Sequence, residues 1–424
     1  MSTNDALNQG PLTARRALEA LRSGVPNSES VLALGTTQTE IIDQFNQLIG
    51  NAKVDIPSSV PRGMLIGGGF GSGKSHVLEY LAQQARSQNF VVSKVVVSKE
   101  TPLHNPTAVF RAAIADAKVP GRPGSAIDEI AMSLDFNSEA YAEFYRWLHT
   151  AGESLDHRLA ASLRLFEHYS GDEEFADRVT QFWAGEPFAI SEMRKRLREA
   201  GWLEDYGLKA TKEVELSRDR FIFVSRLIRA AGYSGWVLLI DEVELIGRYS
   251  LIQRARSYAE VKRWMDGSRV DPSVPLIAVL TTVDDFEGEV LAGKDDYNQL
   301  PERLLAKEKI EYTQLASDAR AGMNILAKNQ VALHPPDNAE LDATYEAIRK
   351  IHAEAFGWNP PEIAGLERLP SNRMRQYVRA WINEWDLIHL YPSYSPDTIV
   401  IPVEIDYGED RDVSGPSDGD ASAT

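Results

Sequence analysis

The eight residues Gly68-Gly69-Phe70-Gly71-Ser72-Gly73-Lys74-Ser75 satisfy the spacing G-x-x-x-x-G-K-[ST] at every specified position. Four fixed identities at that spacing arise by chance in about one chain in a hundred of this length, and the flanks narrow the reading further. Met64-Leu65-Ile66 before the loop is a short apolar stretch, and Val77, Leu78, Leu81, Ala82 and Ala85 after it fall on one helical face. A strand, a glycine loop and a helix in that order aim backbone N–H groups and the positive helix end at a polyphosphate. The glycines let the backbone curl around the anion, Lys74 reaches the terminal phosphates, and the Ser75 hydroxyl ligates magnesium. Gly68 through His76 is therefore the expected cradle of a nucleoside triphosphate.

Composition sets the outer limits. A chain of 424 residues, 43% hydrophobic and 25% charged, is globular and has room for one large or two to three modest domains. It holds no cysteine, which excludes disulfides, thiol catalysis and cysteine-based zinc sites and suits a reducing cytoplasm. No apolar run approaches the ~18 residues that span a bilayer, and Met1-Ser2-Thr3-Asn4-Asp5 does not begin a signal peptide, so a soluble cytoplasmic protein is expected. The net charge of −17 speaks against adhesion of nucleic acid to the whole surface. Part of that charge is local, since seven acids stand against Arg411 from Glu404 onward. A local basic groove for DNA stays open.

The pattern along the chain is that of a doubly wound α/β fold. Helices are expected over 13–21 and about 37–49, followed by the phosphate-loop unit and a buried strand over 90–97. From about 105 to 217 helical periodicity takes over without a convincing strand, which reads as a helical insertion between two strands of the nucleotide domain. Strands resume at Trp236–Ile240 and Leu276–Leu280, with a shorter candidate at Lys309–Tyr312. Helices follow near 314–330, 338–356 and 371–388, and the last twenty residues read as a disordered Gly/Ser/Asp-rich tail. The expected division is N-terminal helices flanking the site (1–60), a phosphate-loop core with its insertion (61–313), a helical lid (314–392) and the acidic tail (404–424).

Four apolar strand residues lead into Asp241-Glu242. In a phosphate-loop sheet such a pair divides the work: Asp241 holds the magnesium shell, and Glu242 orients and deprotonates the attacking water. A strand ending in a solvated acid is commonplace, so this reading leans on the glycine loop upstream. The next strand ends in Thr281-Thr282, and in such sheets it lies between the acidic strand and the phosphate-loop strand. A hydroxyl there can sense the γ-phosphate; Thr282 is the candidate, with the choice against Thr281 open. Arg303 either projects toward a neighbouring subunit's nucleotide, where its planar cation stabilises transition-state charge, or is a plain surface arginine. Arg375, ahead of Arg373, is the candidate for reaching the γ-phosphate from the start of the lid helix. Arg248, Arg254, Arg256, Lys262, Arg263 and Arg269 form either a solvated basic face or one for DNA or a partner protomer. The basic helix Ile190–Leu197 is like part of a helix-turn-helix, without a second helix at the right spacing, and the eight histidines form no paired metal motif.

Taken together, the glycine loop, the acidic pair, the strand-end threonines, Arg303 and the helical lid resemble an AAA+ ATPase of the origin-recognition and STAND-like branch. Two segments carry a closer likeness: Ala14 to Asn27, and Gly71 to His76 with Val92 to Leu103, of which Ser98 to Leu103 is the more specific. These resemble the BrxD ATP-binding proteins of bacterial BREX phage-resistance systems. The resemblance implies ATP and Mg2+ as ligands, a role in phage defence, and other defence-system proteins or further copies of the chain as partners. It supplies no substrate. Lys74 and Asp241 are 167 positions apart, so the insertion is expected to be a folded module. The 37 residues after Leu387 leave no room for a winged-helix DNA reader, which puts sequence-specific DNA binding in doubt. Three functions follow in order: an ATPase that remodels or licenses a complex, a slow ATP-binding switch that recruits partners, and a DNA loader or translocase.

Overall fold

The computed structural model describes residues 9–54, 62–150, 155–265, 274–363 and 374–394. Among these, five strands form one sheet: β1 Gly63–Gly67, β2 Phe90–Val96, β3 Gly235–Asp241, β4 Leu276–Thr282 and β5 Gln330–Ala332. Their order is β2-β3-β4-β1-β5, and every pairing is parallel. Strands buried on both faces must be apolar nearly throughout, and β1, β3 and β4 are buried at every residue. The two-residue period of the strands sorts their side chains into two cores. Met64, Ile66, Phe90, Val92, Val237, Leu239, Ile277 and Val279 face one way; Leu65, Val91, Val95, Leu238, Ile240, Ala278 and Leu280 face the other.

Helices cover both faces. Before the sheet come α1 Gln9–Ser23, α2 Ser28–Leu34 and α3 Thr39–Lys53, and α4 Lys74–Ser87 follows β1. The apolar sides of α3 and α4 close the first core through Ile41, Phe45, Val77, Leu78 and Leu81. Between β2 and β3 the described residues hold α5 Pro106–Asp116, α6 Ala126–Met132, α7 Glu139–Leu148, α8 His157–His168, α9 Glu173–Trp183, α10 Ile190–Glu199 and α11 Glu213–Ala230. Local chemistry starts several of them: the Asn105, Ser138, Asp156 and Asp172 side chains accept first-turn N–H groups of α5, α7, α8 and α9. This helical module shares one continuous core with the second sheet face. Aromatic contacts fix the seam, with Phe221 of α11 stacked on Trp236 of β3 at 5.6 Å and Phe110 of α5 edge-on to Phe221 at 4.9 Å. The Trp236 indole N–H donates to Ser93 Oγ at 2.9 Å, so the polar atom at the heart of the seam is satisfied.

After β3 come α12 Leu251–Met265, then β4, α13 Asp296–Leu305, α14 Ile310–Lys328, β5, α15 Asn338–Phe356 and α16 Met374–Leu390. The predicted strand at Lys309–Tyr312 is instead the start of α14. Its apolar-polar alternation is too short to decide between periods, and the buried residues Ala316, Ala319, Met323 and Leu326 beyond it recur at helical spacing. Ile310 is 90% exposed, which no buried strand would leave. The fifth strand lies later, over three residues that pair with β1 from Leu65↔Gln330 to Gly67↔Ala332. Helix α1 packs with α15 and α16 in a third core built on Leu18, Leu21, Ile348, Tyr377, Trp381 and Trp385. Arg379 draws the same elements together by donating to the Arg22 and Ser23 carbonyls. The expected tail over 404–424 lies outside the described residues.

Helices α12 and α14 cross where Gly322 meets the backbone of Tyr258, and a Cβ on Gly322 would stand 1.8 Å from the Tyr258 carbonyl oxygen. Backbone cannot give way as a flexible side chain does, so Gly322→Ala is expected to cost at least about 1–3 kcal/mol of stability, read from the shift of a denaturant midpoint. A shift under about 0.5 kcal/mol would show that the two helices part freely.

Candidate nucleotide site

In an open parallel sheet, ligands collect at the carboxyl ends of the strands, and the pairings Gly67↔Thr282 and Val96↔Asp241 bring four strand ends level there. The loop from Gly68 to Gly73 leaves β1, and Gly73 caps α4 with φ of 105°, a conformation that a side chain would oppose. The Gly68 N–H donates to the Thr282 carbonyl at 3.0 Å, tying the loop's first residue to the end of β4. Ser72 Oγ is buried in the loop without a hydrogen-bond partner, as expected of a donor meant for a phosphate.

Asp241 is the most heavily held group at the site. Ser75 Oγ donates to its Oδ2 at 3.0 Å, the Glu242 N–H donates to its Oδ1 at 3.0 Å, and the Thr281 hydroxyl donates to the same Oδ1. Thr281 follows Val279 on the α4 side of the sheet, which is why it and not Thr282 meets the aspartate. The Thr282 hydroxyl is buried without a partner. Two hard oxygens from Ser75 and Asp241 side by side at the start of α4 form a donor set that suits magnesium. Lys94, which the sequence reading passed over, stands 3.9 Å from Asp241 Oδ2.

Glu242 follows in the left-handed region, at φ 62° and ψ 39°. A non-glycine residue held there costs of order 1–3 kcal/mol and persists where the surroundings impose it. The kink ends β3, turns the chain into the tight turn Val243–Arg248, and leaves the Glu242 side chain exposed at the pocket. The pocket walls still desolvate this carboxyl enough to raise it above the usual range, and neighbouring Asp241 adds to the rise. Lys74, Arg375 and Arg248 pull in the other direction. Lys74 Nζ donates to the Gly68 carbonyl at 2.6 Å and lies 3.5 Å from Oε1 of a second acid, Glu244. Burial pushes the Glu244 carboxyl up to about 7. Nothing in the sequence marked Glu244, because its place depends on the turn.

Arg375 reaches the same end of the cavity from α16. Its guanidinium lies 5.3 Å from the Phe70 ring and donates to the Gly24 carbonyl at 3.1 Å, while its backbone N–H approaches the Gly71 carbonyl. Arg373 lies outside the described residues. His76 lines the cavity, and its Nε2 pairs with the Gly35 carbonyl at 2.7 Å. Burial lowers its pKa, so the ring is neutral at pH 7 and donates Nε2–H to that carbonyl. Gln38 fastens the same segment to the end of β5 by exchanging two hydrogen bonds with the His334 backbone. These contacts frame a cavity of about 550 Å³, lined by the phosphate loop on one side and by Leu21, Pro26, Leu333, Pro336 and Val378 on the other. That size and mixed lining suit a nucleotide.

Most of the remaining candidates lie elsewhere. Arg303 is exposed in the last turn of α13, away from the cavity lining. The basic cluster after Glu242 does not form one face. Arg254 is buried against Asp296 at 2.8 Å, with the Tyr258 hydroxyl on the same carboxylate. Lys262 pairs with Asp318 at 2.7 Å, Arg263 lies 3.9 Å from Glu260, and Arg248 lines the nucleotide cavity. Arg269 lies outside the described residues. The sequence could not show this for Arg254 and Lys262, because the acids that neutralise them come from α13 and α14. Basic groups of α10 are likewise engaged: Arg194 donates to the Leu208 carbonyl, Arg196 reaches Asp172, and Lys195 lies near Glu199.

Comparison with known families gives one finding. The family model described as BREX system ATP-binding protein BrxC/D matches residues 12–386. No curated protein matches the chain. Among the described residues no helix is long and apolar enough to cross a membrane.

Proposed function

The chain belongs to the BREX system ATP-binding protein family BrxC/D, and we propose that in phage defence it acts as a magnesium-dependent ATPase of the AAA+ type that remodels or licenses a protein or protein–DNA complex. The observation that carries this reading is the divided acidic pair: Asp241 is tied down by Ser75 and Thr281, while Glu242 is thrown into the pocket by a strained backbone. Binding alone does not need a second, unheld carboxylate there; hydrolysis does.

In this reading the N–H groups at the start of α4 hold the phosphates, and Lys74 fixes their terminal end. Magnesium held through Ser75 and Asp241 would spread the charge that builds on the phosphate oxygens. Glu242 accepts the proton of the attacking water. Arg248 and Arg375 offer cations from within the chain, and exposed Arg303 is free to act on a neighbouring copy. Helices α15 and α16 serve as the lid, and α1 moves with them because it shares their core.

Steady-state ATP hydrolysis against protein concentration, with and without duplex DNA and with Lys74→Ala as the blank, tests the proposal. Specific activity should rise with concentration if a neighbour's Arg303 completes the site. Near-zero turnover with tight ATP binding would instead establish a binding switch.

A further inference from the structure

We propose that Glu244 is a built-in rival of the γ-phosphate for Lys74, and thereby a residue that sets how strongly the chain prefers ATP to ADP. The inference rests on the reading above only in taking Lys74 as the ligand of the terminal phosphates.

Three observations carry it. Glu244 Oε1 lies 3.5 Å from Lys74 Nζ, so the cation that a phosphate loop reserves for nucleotide already has an anionic partner from its own chain. Glu244 is only 6% exposed, in contrast to exposed Glu242 two residues earlier, so water does little to screen it. Its Oε2 is buried without a hydrogen-bond partner, which a carboxylate serving only to brace the fold would avoid. The turn that bears it is packed in place: Val243, Ile246 and Gly247 are buried, and a Cβ on Gly247 would stand 3.2 Å from Val290. Backbone movement therefore does not readily carry the carboxylate away from the lysine.

Two anions cannot share one buried ammonium without repulsion. A triphosphate brings its γ-phosphate toward Lys74 and meets Glu244 directly, whereas a diphosphate ends one group short. The carboxylate thus opposes ATP more than ADP, and holds down an affinity ratio that the phosphate loop alone would make larger.

Calorimetric titration of the full chain at pH 8.5, above the raised pKa of about 7 of Glu244, with magnesium and either ADP or the non-hydrolysable analogue AMP-PNP tests this without turnover. Glu244→Gln removes the charge and keeps the shape. Its affinity for AMP-PNP should rise by about tenfold or more, with that for ADP changing less than about threefold. Glu244→Asp, which keeps the charge but draws it back by one methylene, should fall between wild type and Glu244→Gln. It also serves should the glutamine variant not fold. Equal changes for both nucleotides, no change, or weaker AMP-PNP binding would each overturn the proposal. Failure of the ATPase reading would show separately, as absent turnover in the wild-type chain.

Discussion

Glu242→Gln is expected to lower steady-state ATP turnover by about 10²–10⁴-fold while leaving ATP bound. The substitution keeps volume and hydrogen-bonding reach but replaces a basic carboxylate with a neutral amide that does not take a proton from water. It should not disturb Asp241, because the contact between the two residues is made by the Glu242 backbone N–H and survives the change. Nor should it unfold the turn, since glutamine accepts the same left-handed backbone at the same cost. Glu242→Gly makes a useful companion: glycine relieves the positive φ, so activity should vanish without loss of thermal stability. Wild-type turnover in Glu242→Gln would sink the assignment and shift attention to Glu244, a further carboxylate on the cavity wall.

How much of this was legible beforehand follows from what each feature depends on. The phosphate loop was legible because binding a polyphosphate with backbone N–H groups dictates residue types at fixed spacing. The three central strands were legible because burial on both faces requires continuous apolar runs. The fifth strand was not: Gln330–Ala332 is three residues long and only half-buried, while Lys309–Tyr312 imitates a strand for four residues before the helical period asserts itself. Asp241 and Glu242 were found as a pair, but their different footing was not, since it arises from one backbone rotation at Glu242. Of the two strand-end threonines it is Thr281 whose hydroxyl meets Asp241, a matter of which strand face each takes. Lys94 left a signal, as the one charged residue in a strand whose other residues are buried except for Val96. Glu244 left none. Its partner is 170 residues away along the chain, and the short turn that aims it has no pattern of its own. The arginines after Glu242 show the converse failure, because a run of cations looks free in sequence until the acids opposite them are known.

Lys74→Ala is expected to weaken ATP binding by about 10³-fold, more than the loss of one charge-assisted contact would explain. The excess comes from what the lysine leaves behind. Without its ammonium, buried Glu244 faces the phosphates uncompensated, and a buried charge that has lost its partner is costlier than an absent pair. The double variant Lys74→Ala/Glu244→Gln should therefore bind ATP about a hundredfold more tightly than Lys74→Ala alone, a larger factor than Glu244→Gln gives the wild-type chain. Simple additivity sets the comparison: if Glu244→Gln tightens binding by the same factor with and without Lys74, the two residues act independently. A larger gain in the absence of Lys74 would locate the penalty in the stranded carboxylate. No gain at all would mean that Glu244 takes up a proton once its partner is gone, which its raised pKa of about 7 permits. Removing Lys74 also removes a charge that holds the Glu244 carboxyl down, so repeating the comparison at rising pH separates these outcomes: the rescue should return as the carboxyl ionises.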